Sequence, residues 1–256
     1  MTQTPRPISR RDFLGLSGGV LLASACNTPT APFEGNPRLD ARPGIPTVPA
    51  LPGLQPLGLG GDRDGFIYVP AGYAESTPAP LLLLLHGATG SAGVWSASTE
   101  LLAQADNLGV VLLGVDSREV TWDLVLRRRF DADLTFINRA LTRTFSRCRI
   151  DPTRVAVGGF SDGATYALSL GLPNGDLFTH VVGWSAGYLV ESQRRGTPGV
   201  WMSHGTLDTI LPIDQCSRVI VPRLRTLGYT VDYREFADGH VLRIEDMTAA
   251  MEWMAG

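Results

Sequence analysis

Gly159-Phe160-Ser161-Asp162-Gly163 is a G-x-S-x-G pentapeptide set between an apolar, β-branched run, Arg154-Val155-Ala156-Val157-Gly158, and a helix-forming stretch, Ala164 to Leu170. This succession constrains the chain more than any other feature. It requires a strand, a sharp turn and a helix, with a serine at the apex. The glycines flank the serine because a bulky side chain in so tight a turn collides with the neighbouring strand or helix.

The same alternation runs through the rest of the chain. Strands are predicted at Gly65 to Val69, Leu81 to Leu85, Val110 to Val115, Arg154 to Gly158, His180 to Trp184, Val200 to Ser203 and Thr230 to Phe236. Helices are predicted around Ser98 to Asn107, Ala132 to Ser146, Ala164 to Leu170, Gln215 to Leu227 and Ile244 to Met254. Near-continuous apolar strands alternating with helices predict an α/β class of fold, a mostly parallel sheet with helices on both faces. With 256 residues and 44% hydrophobic content the chain can bury one sizeable core.

The first 25 residues read as an export signal. Ser9-Arg10-Arg11-Asp12-Phe13-Leu14 has the twin-arginine pattern and precedes the apolar stretch Phe13 to Ala25, which is too short to span a membrane stably. Ala23-Ser24-Ala25 is an A-x-A cleavage site, and Leu22-Ala23-Ser24-Ala25-Cys26 resembles a lipoprotein box, so either reading makes Cys26 the first mature residue. We expect lipid attachment at Cys26 and a cell-envelope location, with a plain periplasmic or secreted protein as the alternative. Loss of the signal removes Arg6, Arg10, Arg11 and Asp12 and takes the formal charge from -3 to -5. That balance gives no reason to expect nucleic acid as a partner. Residues 26 to 60 carry prolines at 29, 32, 37, 43, 46, 49, 52 and 56 and read as an extended linker that cannot pack a core, ahead of a domain over 61 to 256. Cys148 and Cys216 are expected as buried free thiols, although an exported location permits a disulfide.

In open parallel sheets reactive groups collect at the carboxyl ends of the strands. There the chain places His86-Gly87-Ala88-Thr89-Gly90, Ser161, His204-Gly205-Thr206-Leu207-Asp208 and Asp238-Gly239-His240. A serine hydroxyl requires a base to take its proton, usually an imidazole oriented by a carboxylate. Ser161, Asp208 and His240 stand in the order nucleophile, acid, base found in α/β hydrolases. His86 and His204, each followed by glycine in a strand-exit turn, are read as hydrogen-bonded structural histidines, and His180 opens a strand ahead of the acid. Among rival acids, Asp232 lies within a strand, Asp214 is placed to cap a helix, and Asp238 is too near His240; Asp162 and Asp176 are the others. The negative oxygen of a tetrahedral intermediate requires preorganised donors. The N–H of Asp162 is one candidate and the N–H of Ala88 the other, with Thr89 as runner-up. Asp131 and Asp133 read as a cap and a first-turn charge. Trp95 and Trp122 read as core or as pocket lining, and Arg127-Arg128-Arg129 as a solvated face. The sequence contains no zinc-type His/Cys cluster, Walker A sequence or dinucleotide fingerprint.

With these residues in view, the chain resembles the α/β-hydrolase superfamily, within it the phospholipase/carboxylesterase group and related secreted polyhydroxyalkanoate depolymerase-like esterases. The resemblance covers about Gly65 to Trp253. It rests on His86-Gly87, Thr121-Trp122-Asp123, Ile150-Asp151-Pro152, the pentapeptide around Ser161, His204 to Asp208 and Gly239-His240. It implies an α/β-hydrolase fold and a serine hydrolase without cofactor, acting on small or polymeric carboxylic esters, with short to medium acyl chains expected. The short segment Ser185 to Pro198 leaves no room for a large lid. A thioesterase or amidase with the same machinery, and a catalytically silent envelope binding protein, are the alternative functions.

Overall fold

A computed structural model describes residues 33–256. The signal segment and Cys26 lie outside the described residues. Eight strands, β1 (Gly53–Pro56), β2 (Gly65–Val69), β3 (Ala79–Leu85), β4 (Val111–Val115), β5 (Ile150–Phe160), β6 (His180–Trp184), β7 (Gly199–Gly205) and β8 (Val231–Phe236), form one sheet in the order β1-β2-β4-β3-β5-β6-β7-β8. The β1/β2 and β2/β4 pairs are antiparallel and every other pair is parallel.

The apolar strands are continuous because both faces are covered. In β3, Leu81, Leu83 and Leu85 point into one layer, with Phe136 and Leu141 of helix α4 (Ala132–Phe145) and Leu168 of α5 (Asp162–Gly171). Leu82 and Leu84 point into the other, with Trp95 of α1 (Gly93–Ser96), Leu101 of α2 (Thr99–Leu108) and Met251 of α7 (Ile244–Ala255). A period-two strand therefore serves two cores at once. A short helix, α3 (Asp123–Arg127), and α6 (Ser217–Thr226) complete the described α-helices, and a 3-10 turn over Leu172–Asn174 follows α5. The β6–β7 connection is a short loop and carries no large lid.

The proline-rich stretch departs from expectation. From residue 33 onward it packs as a strap rather than hanging as a linker: Leu39 and Leu57 are core residues, and residues 53–56 are β1 at the sheet edge. Asn174 supplies what the prolines lack. Its Oδ1 accepts from the Leu39 N–H at 2.9 Å and its Nδ2 donates to the Pro37 carbonyl at 2.6 Å, while Arg38 forms a two-toothed pair with Asp176 at 2.8 and 2.7 Å. Proline removes donors and excludes helix, but it does not prevent an extended segment from burying its leucines.

Two smaller expectations are also corrected. Asp131 holds the N-cap position of α4, yet its side chain caps nothing; the Asp123 Oδ2 takes the N–H groups of Asp131 and Asp133, both at 2.9 Å. Cys148 is a buried free thiol as expected, whereas Cys216 is disulfide-bonded, so the two do not pair.

Candidate active site

Strand β5 ends at Phe160 and α5 begins at Asp162, so Ser161 alone makes the turn, with φ +58° and ψ -118°. A non-glycine residue at positive φ is strained by about 1–3 kcal/mol and persists only where the surroundings hold it. Here the Ser161 N–H donates to the Trp184 carbonyl at 2.9 Å and its carbonyl accepts from the Thr165 N–H at 3.0 Å. The flanking glycines are required by close approach. A Cβ on Gly159 would lie 2.4 Å from the Gly163 backbone, and one on Gly163 would lie 2.3 Å from the Leu85 carbonyl oxygen.

The three residues chosen by order meet in space. His240 Nε2 lies 2.9 Å from Ser161 Oγ, and His240 Nδ1 lies 2.6 Å from Asp208 Oδ2. The ring of Phe160 packs on the imidazole at 4.8 Å between centroids. Asp208 follows β7, and its Oδ1 accepts from the Ile210 and Leu211 N–H groups at 2.9 and 2.8 Å. Burial works to raise the Asp208 carboxyl, but hydrogen bonds from His204, His240 and the Leu211 N–H outweigh it and hold it well below the usual carboxylate range. Asp208 is therefore ionised at neutral pH. Of the rival acids, Asp176 is committed to Arg38 and Asp214 to Arg218, and Asp238 accepts from the N–H of its neighbour Gly239.

Above Ser161 lies the turn after β3, close enough that a Cβ on Gly87 would sit 3.4 Å from the Ser161 Cβ. The Thr89 N–H is taken by the Val120 carbonyl at 2.7 Å. Among the described residues the N–H groups of Ala88 and Asp162 have no acceptor, which leaves both available to a ligand oxygen. The turn is braced from behind by His86, fully buried, whose Nε2 accepts from the Ser117 N–H at 3.0 Å while Nδ1 lies 2.7 Å from the Gly87 carbonyl. Burial brings His86 down to about 4, opposed by the bond to Gly87, so it is neutral near pH 7.

Several supporting residues carried little or no signal of their own in the sequence. Arg63 donates from Nη2 to the Gly90 carbonyl at 2.8 Å and from Nε to the Ser117 carbonyl at 2.5 Å, clamping the turn. It precedes β2 in no recognisable pattern. Thr121-Trp122-Asp123 was legible as a motif but not in its parts. Thr121 Oγ1 donates to Asp162 Oδ2 at 2.8 Å, the Trp122 indole donates to the His86 carbonyl at 2.8 Å, and Asp123 caps α4. Trp95 and Trp122 are both buried, as core packing requires. Arg127 pairs with Glu119 and Arg129 with Asp131, while the Arg128 guanidinium lies 4.7 Å from the centroid of the Phe33 ring. Among the described residues no group of three or more His, Cys, Asp or Glu side chains could hold a metal ion, and no helix is long and apolar enough to cross a membrane.

A mostly parallel sheet carrying a serine on the β5–α5 turn, with an acid after β7 and a histidine after β8, defines an α/β hydrolase. Residues 58–209 match the family model Esterase, described as "Putative esterase", and the chain belongs to that esterase family. A curated relative, "Putative esterase NocK" of Nocardia uniformis subsp. tsuyamanensis, is 33% identical over 147 residues, which are 54% of this chain and 42% of the relative. The chain thus spans about two fifths of that relative's length. Among solved structures, S-formylglutathione hydrolase (FrmB) of Staphylococcus aureus superposes with a TM-score of 0.58 at 13% identity, over 76% of this chain and 93% of that one. The fluorophosphonate-binding serine hydrolase FphF of the same organism gives 0.61 at 14%, over 76% and 92%. These two likenesses are of fold.

Proposed function

We propose that this hydrolase cleaves carboxylic esters of short to medium acyl chain through an acyl-enzyme on Ser161. The observation that carries the reading is the unbroken chain from Ser161 Oγ through His240 to Asp208, at 2.9 and 2.6 Å, beside two N–H groups that have no acceptor among the described residues. His240 Nε2 takes the serine proton as Oγ attacks the ester carbonyl, while Asp208 fixes the tautomer and stabilises the imidazolium. The carbonyl oxygen becomes the oxyanion and is met by the N–H groups of Ala88 and Asp162, each worth roughly 3 kcal/mol. Collapse of the intermediate breaks the ester C–O bond, and His240 returns the proton to the departing alkoxide. Water then repeats the sequence on the acyl-serine and releases the acid. The absence of a large lid supports an open site that reaches soluble esters without interfacial opening.

The test is labelling by a fluorophosphonate probe together with hydrolysis of p-nitrophenyl acetate, butyrate and palmitate, beside a thioester and an anilide. Short-chain turnover and labelling, both lost in Ser161→Ala and turnover lost in His240→Ala, support the esterase. Turnover that survives Ser161→Ala refutes the mechanism, and a folded wild type that neither labels nor turns over is a silent scaffold.

Export by the twin-arginine route and an envelope location are part of the same proposal. The rival to a lipoprotein acylated at Cys26 is a plain periplasmic or secreted protein whose first residue carries no lipid. Intact mass of the mature protein before and after reduction separates the two: an acylated species insensitive to reductant is expected for the lipoprotein.

A further inference from the structure

We infer that His204 is a positioning residue for the acid of the site, a second imidazole that holds the Asp208 carboxylate in register with His240. The inference rests on the reading of Ser161, His240 and Asp208 as a catalytic unit. Asp208 Oδ2 carries two imidazole contacts, His240 Nδ1 at 2.6 Å and His204 Nε2 at 3.2 Å. His204 Nε2 also lies 2.8 Å from the Leu211 carbonyl oxygen. With two acceptors before it, Nε2 bears the proton, and Nδ1 at 2.7 Å then accepts from the Ser217 hydroxyl. Both His204 and Ser217 are fully buried, so water competes for none of these bonds.

Leu211 closes the arrangement. Its N–H donates to Asp208 Oδ1 at 2.8 Å and its carbonyl accepts from His204, so the carboxylate, the imidazole and the main chain of one residue form a ring of bonds. A lone hinge at the end of β7 would leave the carboxylate free to turn about its side-chain torsions. The ring removes that freedom before substrate arrives. It also spreads the charge of Oδ2 over two donors. Without His204 the carboxylate is less well solvated and its interaction with the positively charged partner ring strengthens, which moves the acid limb of the pH profile upward. The other charged groups around this cluster are Glu235 of β8, held by Arg218 of α6 at 2.6 Å and by the Tyr233 hydroxyl at 3.1 Å, and Asp162 beside His240. All of them are retained in the variants below.

The experiment measures kcat and KM for p-nitrophenyl butyrate from pH 5 to 9 in the wild type, His204→Leu, His204→Gln, Ser217→Ala and Ser161→Ala. His204→Leu is expected to lower kcat about tenfold with KM within about twofold, and to move the acid limb of kcat/KM upward by a few tenths of a pH unit. Glutamine can place an N–H near the former Nε2, so His204→Gln is expected within about threefold of wild type with the limb restored. Ser217→Ala frees the His204 tautomer and shows the same shift in smaller measure; it carries the test alone if the leucine variant does not fold. An acid limb that stays in place in a folded His204→Leu, or a glutamine variant no better than leucine, overturns the inference. Turnover persisting in Ser161→Ala overturns the triad reading instead, so the two failures are distinct.

Discussion

At the scale of single residues, the site is a set of close approaches that tolerate no added atom. Gly163 shows this most sharply: a methyl there would sit 2.3 Å from the Leu85 carbonyl oxygen and 2.5 Å from that of His86. These are backbone atoms of β3 and of the turn that carries Ala88, so the clash cannot be relieved by a rotamer change. Gly163→Ala is therefore expected to cost about 2–3 kcal/mol in a denaturant melt, and to lower kcat by at least about a hundredfold because the turn is pushed off Ser161. A variant with wild-type kcat would show that the turn and the elbow are not rigidly coupled. That Ser161, Asp208 and His240 come together was legible in the sequence, because each follows a strand whose apolar run can be read. Their supporting bonds were not. His204 was read as structural, and nothing in a one-dimensional pattern states that it shares an oxygen with His240.

At the scale of elements, the segment from β4 to α4 braces the turns on either side of Ser161. Its anchor is a reciprocal pair. Asp123 accepts from the Asp133 N–H at 2.9 Å, and Asp133 accepts from the Asp123 N–H at 2.6 Å and from the Arg118 N–H at 2.5 Å. Hung between them, Thr121 reaches Asp162 and Trp122 reaches His86. The sequence supplied the motif and the helix start, but it assigned the cap to Asp131, because capping by a residue eight positions upstream requires the α3 turn to be known. Burial, joined by the charge of Asp123 and opposed by the two backbone bonds, pushes Asp133 up to about 6. A carboxyl raised in the folded state contributes stability that is complete below its unfolded value, near 4, and is lost as pH rises through the folded value. The wild-type stability minus that of Asp133→Asn is accordingly expected to fall by a few kcal/mol between pH 4 and 7, whatever constant offset the amide brings. Urea melts at intervals across that range give the slope. A flat difference would mean that the backbone donors hold Asp133 ionised throughout.

At the scale of the molecule, the strap over residues 33 to 60 is the feature the sequence hid. Strand-helix alternation shows through composition because a parallel sheet must bury both faces, and that periodicity survives in the primary structure. A strap has no period. Its prolines announce only that it is neither helix nor inner strand, while its two buried leucines, Leu39 and Leu57, are indistinguishable in sequence from exposed Leu51 and Leu54. What seats it is a residue far along the chain: buried Asn174 also donates to the Leu170 carbonyl at 2.8 Å, fastening the strap to the end of α5, the helix that starts beside Ser161. The strap is thus joined to the element that carries Ser161, and its loss should be felt by the whole fold. Asn174→Ala leaves the Leu39 N–H and two carbonyls buried without partners and is expected to cost about 2–4 kcal/mol. Leu57→Ala, at the far end beside β1, is expected to cost about 2–5 kcal/mol by opening a cavity. If the strap unfolds as one unit with the domain, both variants lower the single unfolding midpoint seen by circular dichroism and by tryptophan fluorescence. If it were a separable linker, the midpoints would stay at the wild-type value, and hydrogen exchange would reveal residues 37 to 57 opening alone.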